Sequence, residues 1–179
     1  MASLMDLVTT IKVSINSTAS KTVGLVAASG PLNNTFKETM ADGSSSGQAD
    51  LVYTASDTLV SGADTTIDLL GALETVFGDE LNFAKIKAIF IRNNIAVTGS
   101  TLIVGGAASN AFDGPWADST DKSNVEPTGT ATDAMWGFVQ MNPGTGWTVD
   151  ATHQNLKLEH DAGDSNDIDY DIVIIGTST

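Results

Sequence analysis

The sequence predicts an all-β chain: an antiparallel β-sandwich, jelly-roll-like, with at most one short helix, in a single domain over residues 1–179. Three observations predict it. Residues 167–176 (DIDYDIVIIG) first alternate acid with apolar residue and then turn apolar on both faces, as a strand does when it passes from a sheet rim into a covered interior. About eight short runs of strand character recur along the chain, separated by Gly, Asn, Asp and Pro turns. Small polar residues suited to turns and strand surfaces fill much of the rest, and only 17% of the chain is charged.

The first strand falls within residues 7–15, where Ile11, Val13 and Ile15 share one parity and Lys12 and Ser14 the other. From residue 16 to 48 the pattern weakens to a polar segment. It holds one short strand candidate at 23–27, the Gly30-Pro31 break and a flexible Ser/Gly loop at 42–47. Strands resume at 50–54 and 58–60. Leu69, Leu70, Leu73, Val76 and Phe77 have helical spacing between Asp68 and Gly78, which predicts the one short helix, with Gly71 against it.

Residues 81–92 read as a central strand containing a phase change. Leu81 and Phe83 share one parity and Ile86, Ala88 and Phe90 the other, so a bulge is expected near Ala84-Lys85. Strands at 101–104, 135–141, 147–149 and 155–160 complete the set. Pro143-Gly144 fits the middle of a type II turn, which predicts a hairpin around it. The last two strands are expected to pair, Leu158 opposing either Ile168 or Tyr170.

Eight Lys+Arg against 22 Asp+Glu give a net charge of −14. That field repels phosphate backbones and anionic membranes, so neither nucleic acid nor membrane is an expected partner. Without cysteine there are no disulfides, thiolate metal sites or thiol nucleophiles. Residues 1–6 lack the basic start and apolar run of a secretory signal, so no secretion is expected.

No residue cluster points to catalysis, so no enzymatic activity and no cofactor are expected. Ser45 lies in a formal Gly-x-Ser-x-Gly match, but the surrounding low-complexity sequence supplies neither the strand before nor the helix after that a nucleophile elbow needs. Two histidines, His153 and His160, leave little material for a triad. Glu159 with Asp167 or Asp169 is the single candidate Ca²⁺ set. Strand parity turns His160 inward and the acids outward, which argues against a mixed His/carboxylate site, and the default reading of the acids is a solvated, self-repelling rim. Trp136 and Trp147 lie in strand patterns, where core packing outweighs a sugar-stacking platform.

Residues 105–132 form the longest stretch without strand pattern, and Phe112, Pro115 and Trp116 within it are costly to leave in water. Either they tuck back onto the sandwich or they meet another chain; the polar residues around them favour the second, so these three are the expected partner-contact residues.

The stretches 81–91 (LNFAKIKAIFI), 101–106 (TLIVGG) and 170–176 (YDIVIIG), in a small, acidic, cysteine-free sandwich, resemble the head decoration, or capsid cement, proteins of tailed bacteriophages. The resemblance implies a jelly-roll module, often a homotrimer, on the outside of a virion, where it binds the major capsid protein and stabilises the lattice. The segments 16–48 and 105–132 would be its contact elements. The competing reading is a carbohydrate- or receptor-binding sandwich from a tail fibre or similar appendage, with the tryptophans as its platform.

Overall fold

A computed structural model of the chain describes residues 8–23, 26–75, 77–95, 100–126, 137–161 and 165–178. Among these residues there is no helix, and every pairing between strands is antiparallel. The all-β expectation holds.

Two sheets enclose the core. The first runs β10 (Gly137–Met141), β7 (Lys85–Asn93), β13 (Ile168–Thr177), β3 (Leu51–Leu59), with β11 (Trp147–Thr148) also on β7. The second runs β4 (Asp64–Asp68), β12 (Asn155–His160), β8 (Leu102–Gly105), β9 (Lys122–Val125). The chain changes sheet between β3 and β4, β4 and β7, β7 and β8, β9 and β10, β11 and β12, and β12 and β13, an order compatible with a jelly roll.

Inward parity fills the space between the sheets. Ile86, Ile89 and Ile91 of β7 and Ile172 and Ile174 of β13 meet Leu102 and Val104 of β8 and Leu156 and Leu158 of β12, none more than 1% exposed. Each such side chain stabilises the fold by about 1.5–3 kcal/mol relative to exposure. As the sequence implied, β7 and β13 are both interior strands of their sheet.

Outside the sandwich, β1 (Thr9–Val23) and β2 (Val26–Met40) pair only with each other, in register from Thr9–Met40 to Val23–Val26. Fifteen residues per strand give a ribbon about 50 Å long at the usual strand rise. Its base is anchored: Ile11, Met40 and Ala49 bury themselves against Ala88 and Ile175 on the outer face of the first sheet. The stretch 16–48, irregular by sequence, is therefore ribbon as far as Met40. The Ser/Gly loop that follows is pinned by Gly47 N–H to the Pro143 carbonyl and by Ser45 N–H to the Gln48 side chain.

Five local expectations are corrected. The predicted helix is instead a strand pair, β5 (Leu70–Glu74) with β6 (Glu80–Asn82). Gly71 takes φ 105°, outside the helical region, and a register shift between Leu70 and Leu73 counterfeits helical spacing. The bulge in β7 falls at Lys87 rather than at Ala84-Lys85: Gly176 opposes Ile86 while Ile175 opposes Ala88. Ile86 thus joins Ile89 and Ile91 inside, and Ala88 faces out.

The last two strands do not pair. β12 belongs to the second sheet and β13 to the first, because the chain between them crosses the sandwich instead of turning back. Nor does Pro143-Gly144 close a hairpin, since β10 and β11 both pair with β7, as two pieces of one interrupted edge. Finally, residues 105–132 are not strandless, for β9 lies inside them.

Candidate interaction surface

The outer face of the first sheet carries two apolar rows. Register sets Met141, Ala88, Ile175 and Val52 side by side across β10, β7, β13 and β3, with Val139, Phe90, Val173 and Thr54 in the next row. The ribbon base covers the middle of this face, at Ala88 and Ile175 with Phe90 and Val173 packed beside it. Both flanks stay open: Val139 is 49% exposed, and Met141 and Val52 are each 37% exposed.

The third row is polar and locked. Arg92 of β7 pairs with Asp171 of β13 at 2.8 Å, and the same carboxylate accepts from the Ser56 hydroxyl at 2.6 Å and the Asn94 amide at 2.9 Å. The Ser56 and Asn94 bonds, with Arg92 beside them, hold its carboxyl below the usual range. Beyond it, Asp169 accepts the Thr58 hydroxyl at 2.6 Å.

The calcium candidates do not assemble. Glu159 stands on the second sheet between Lys157 at 3.0 Å and Lys122 at 3.3 Å, and these cations lower its carboxyl, Lys157 foremost. Asp169 stands on the first sheet, and Asp167 is exposed just ahead of it. Among the described residues no three His, Cys, Asp or Glu side chains group as metal ligands.

Both histidines have structural surroundings. His160 is 1% exposed, and its ring nitrogens face the backbone carbonyls of Asp161 and Asn166. His153 closes a surface turn with Asp150 at 2.9 Å. That carboxyl is lowered to about 2, mainly by the Thr152 hydroxyl and amide, then by His153. Ser45 sits in a loop leading from β2 to β3, with no helix after it.

The contact residues expected in 105–132 turn toward their own sandwich. Phe112 is 1% exposed within the core. Trp116 stacks on Phe138 at 5.4 Å between ring centroids and donates its indole N–H to the Ser123 hydroxyl at 3.0 Å. Pro115 is half-buried beside it. Trp147 also packs against the core, and Trp136 lies outside the described residues. What sequence reading missed is the pair of open flanks. Their signal was present in residues 137–141, where Phe138 takes the inward parity while Val139 and Met141 place apolar side chains on the outward one.

Compared with models of known protein families, with curated proteins and with solved structures, the chain matches none.

Proposed function

We propose that the protein is a structural virion component that decorates the outside of a phage capsid, binding major capsid subunits and stabilising the lattice. The observation that carries this reading is the outer face of the first sheet, where Val139, Met141 and Val52 remain exposed on either side of the ribbon base. Apolar side chains gathered on one sheet face mark a protein contact. A capsid subunit is the occupant proposed for the face.

The remaining features support the reading without carrying it. A net charge of −14 suits an exterior position, away from packaged nucleic acid. Stabilisation would follow from mass action, since a protein that binds only the assembled lattice shifts the equilibrium toward it. A homotrimer is the proposed assembly.

Co-sedimentation with undecorated capsids tests the proposal. The wild type should pellet with capsids and raise their disruption temperature. Val139→Asp with Met141→Asp, at positions already wet, should keep the fold and lose the binding. Wild type left in the supernatant, or equal binding by the variant, would overturn the reading.

A further inference from the structure

Charge in this chain is sorted by position. Residues 9–40, the ribbon, contain three lysines, Lys12, Lys21 and Lys37, and one acid, Glu38. The rest of the chain holds the other five basic residues and 21 acids. Residues 41–84, which form β3 to β6, hold eight acids and no Lys or Arg at all. A basic arm thus projects from a body whose adjoining segment is wholly acidic.

The arm's geometry sharpens the asymmetry. Lys12 and Lys37 are register partners, directly opposite on neighbouring strands, and both are exposed. Like charges placed so are destabilising within a ribbon. Among the described residues neither forms an ion pair. They occupy the opposite parity to Ile11 and Met40, so the ribbon has one face turned to its own sandwich at the base and a cationic face turned away. Phe36, two and four residues from Glu38 and Met40 on the apolar parity, is 57% exposed.

The acidic segment offers a matching surface. β3 and β4 are the outermost strands of their sheets, each with one unpaired edge. Asp57 on β3 and Asp64 on β4 are both exposed, Asp64 with the Lys157 ammonium of β12 beside it at 2.8 Å.

We infer that the β1–β2 ribbon of one copy docks on the acidic β3–β4 flank of a second copy, with Lys12 and Lys37 facing Asp57 and Asp64. Two observations select a second copy of this chain: its segment 41–84 supplies acids with no Lys or Arg among them, and among the described residues the ribbon's paired lysines form no ion pair in their own copy. Arm and flank are different surfaces, so the contact is head-to-tail or, between two copies, reciprocal. Screening by salt weakens such a contact strongly. The inference does not depend on capsid binding.

Sedimentation velocity on the full chain, without capsids, tests it. Wild type should associate at about 20 mM salt and bind at least about tenfold more weakly at about 500 mM. Lys12→Glu with Lys37→Glu should be monomeric, and so should Asp57→Lys with Asp64→Lys, in which Lys157 keeps Glu159 at 3.0 Å as a partner. Mixing the two variants should restore association, because each then meets an oppositely charged surface. Lys12→Gln with Lys37→Gln, which only neutralises the arm, should associate weakly and guards against misfolding of the reversed ribbon. A monomeric wild type at low salt, association unaffected by either reversal, or a mixture that stays monomeric would each overturn the inference.

Discussion

The Lys87 ammonium donates a 2.6 Å hydrogen bond to the Gly144 carbonyl oxygen, joining the bulge in β7 to the break between β10 and β11. On the same residue the backbone carbonyl accepts Asn142 N–H at 2.8 Å. One extra residue on the central strand is thus wrapped by a five-residue excursion on its edge neighbour, which explains why residues 142–146 make no hairpin.

Lys87 is 1% exposed, and burial followed by the nearby Lys85 charge lowers its pKa from 10.5. A base with a lowered folded-state pKa penalises folding while protonated, and the penalty fades as pH rises from that lowered value to the unfolded one. Lys87→Met keeps the length and removes the charge, so its stability should lie within about 1.5 kcal/mol of wild type near neutral pH. Urea titrations should show wild type gaining on the variant as pH climbs toward 10.5. A difference independent of pH would count against a desolvated ammonium.

Lys87 also marks the limit of what the sequence could say. Parity showed that a bulge was needed somewhere in 81–92, because two apolar phases cannot share a face without one. It could not place the bulge, since Ala88 and Phe90 look like core and are in fact the outer face beneath the ribbon. The inward set of β12 was legible because its alternation is unbroken, and the faces of β13 because acid-apolar alternation there gives way to a wholly apolar run. Which strand β12 pairs with was not, because a crossing to the other sheet and a hairpin begin with the same turn residues. Phe112 and Trp116 were read as costly to expose, correctly. Whether they would meet their own sandwich or a neighbour depends on tertiary packing, which local pattern does not encode.

Gly176 lies where β13 crosses the bulge, and a Cβ there would run into the Lys85 carbonyl oxygen and the Phe83 ring. The carbonyl belongs to the backbone and Phe83 is fully buried, so neither can yield cheaply. Gly176→Ala should cost about 2–4 kcal/mol by chemical denaturation. Gly144→Ala, with nothing within 4 Å of its would-be Cβ, should stay within about 0.5 kcal/mol. Equal effects would refute the close approach.

Asn93 closes the far end of β7. Its side-chain amide donates to the carbonyls of Ser100 at 3.0 Å and Val125 at 3.2 Å, while its oxygen accepts Ile95 N–H at 3.0 Å. One buried side chain therefore ties the end of the first sheet to β9 and to the entry of β8. Asn93→Leu fills the space but strands three backbone groups, which should cost about 2–4 kcal/mol. The melting temperature should fall by roughly 5–15 °C in a chain of this size. Amide exchange should quicken first at Ile95, whose N–H loses its acceptor, and uniform loss of protection would deny Asn93 its local role.

Tyr170 sets an alkaline limit on the fold. It is 5% exposed, and burial first, then the Asp57 charge and Tyr53, push its phenol up to about 12. Tyr53 is raised from 10.0 by the same burial and the same aspartate. A phenol with a raised folded-state pKa contributes stability that is complete below the unfolded value of 10.0 and lost as pH rises through about 12. Tyrosinate absorbance near 295 nm should therefore lag behind free tyrosine between pH 10 and about 12, then appear together with loss of the far-ultraviolet β signal. Tyr170→Phe has no phenol to ionise there and should hold its β signal to higher pH. Normal titration of both tyrosines near pH 10 in the folded protein would contradict the buried placement of β13 against β3.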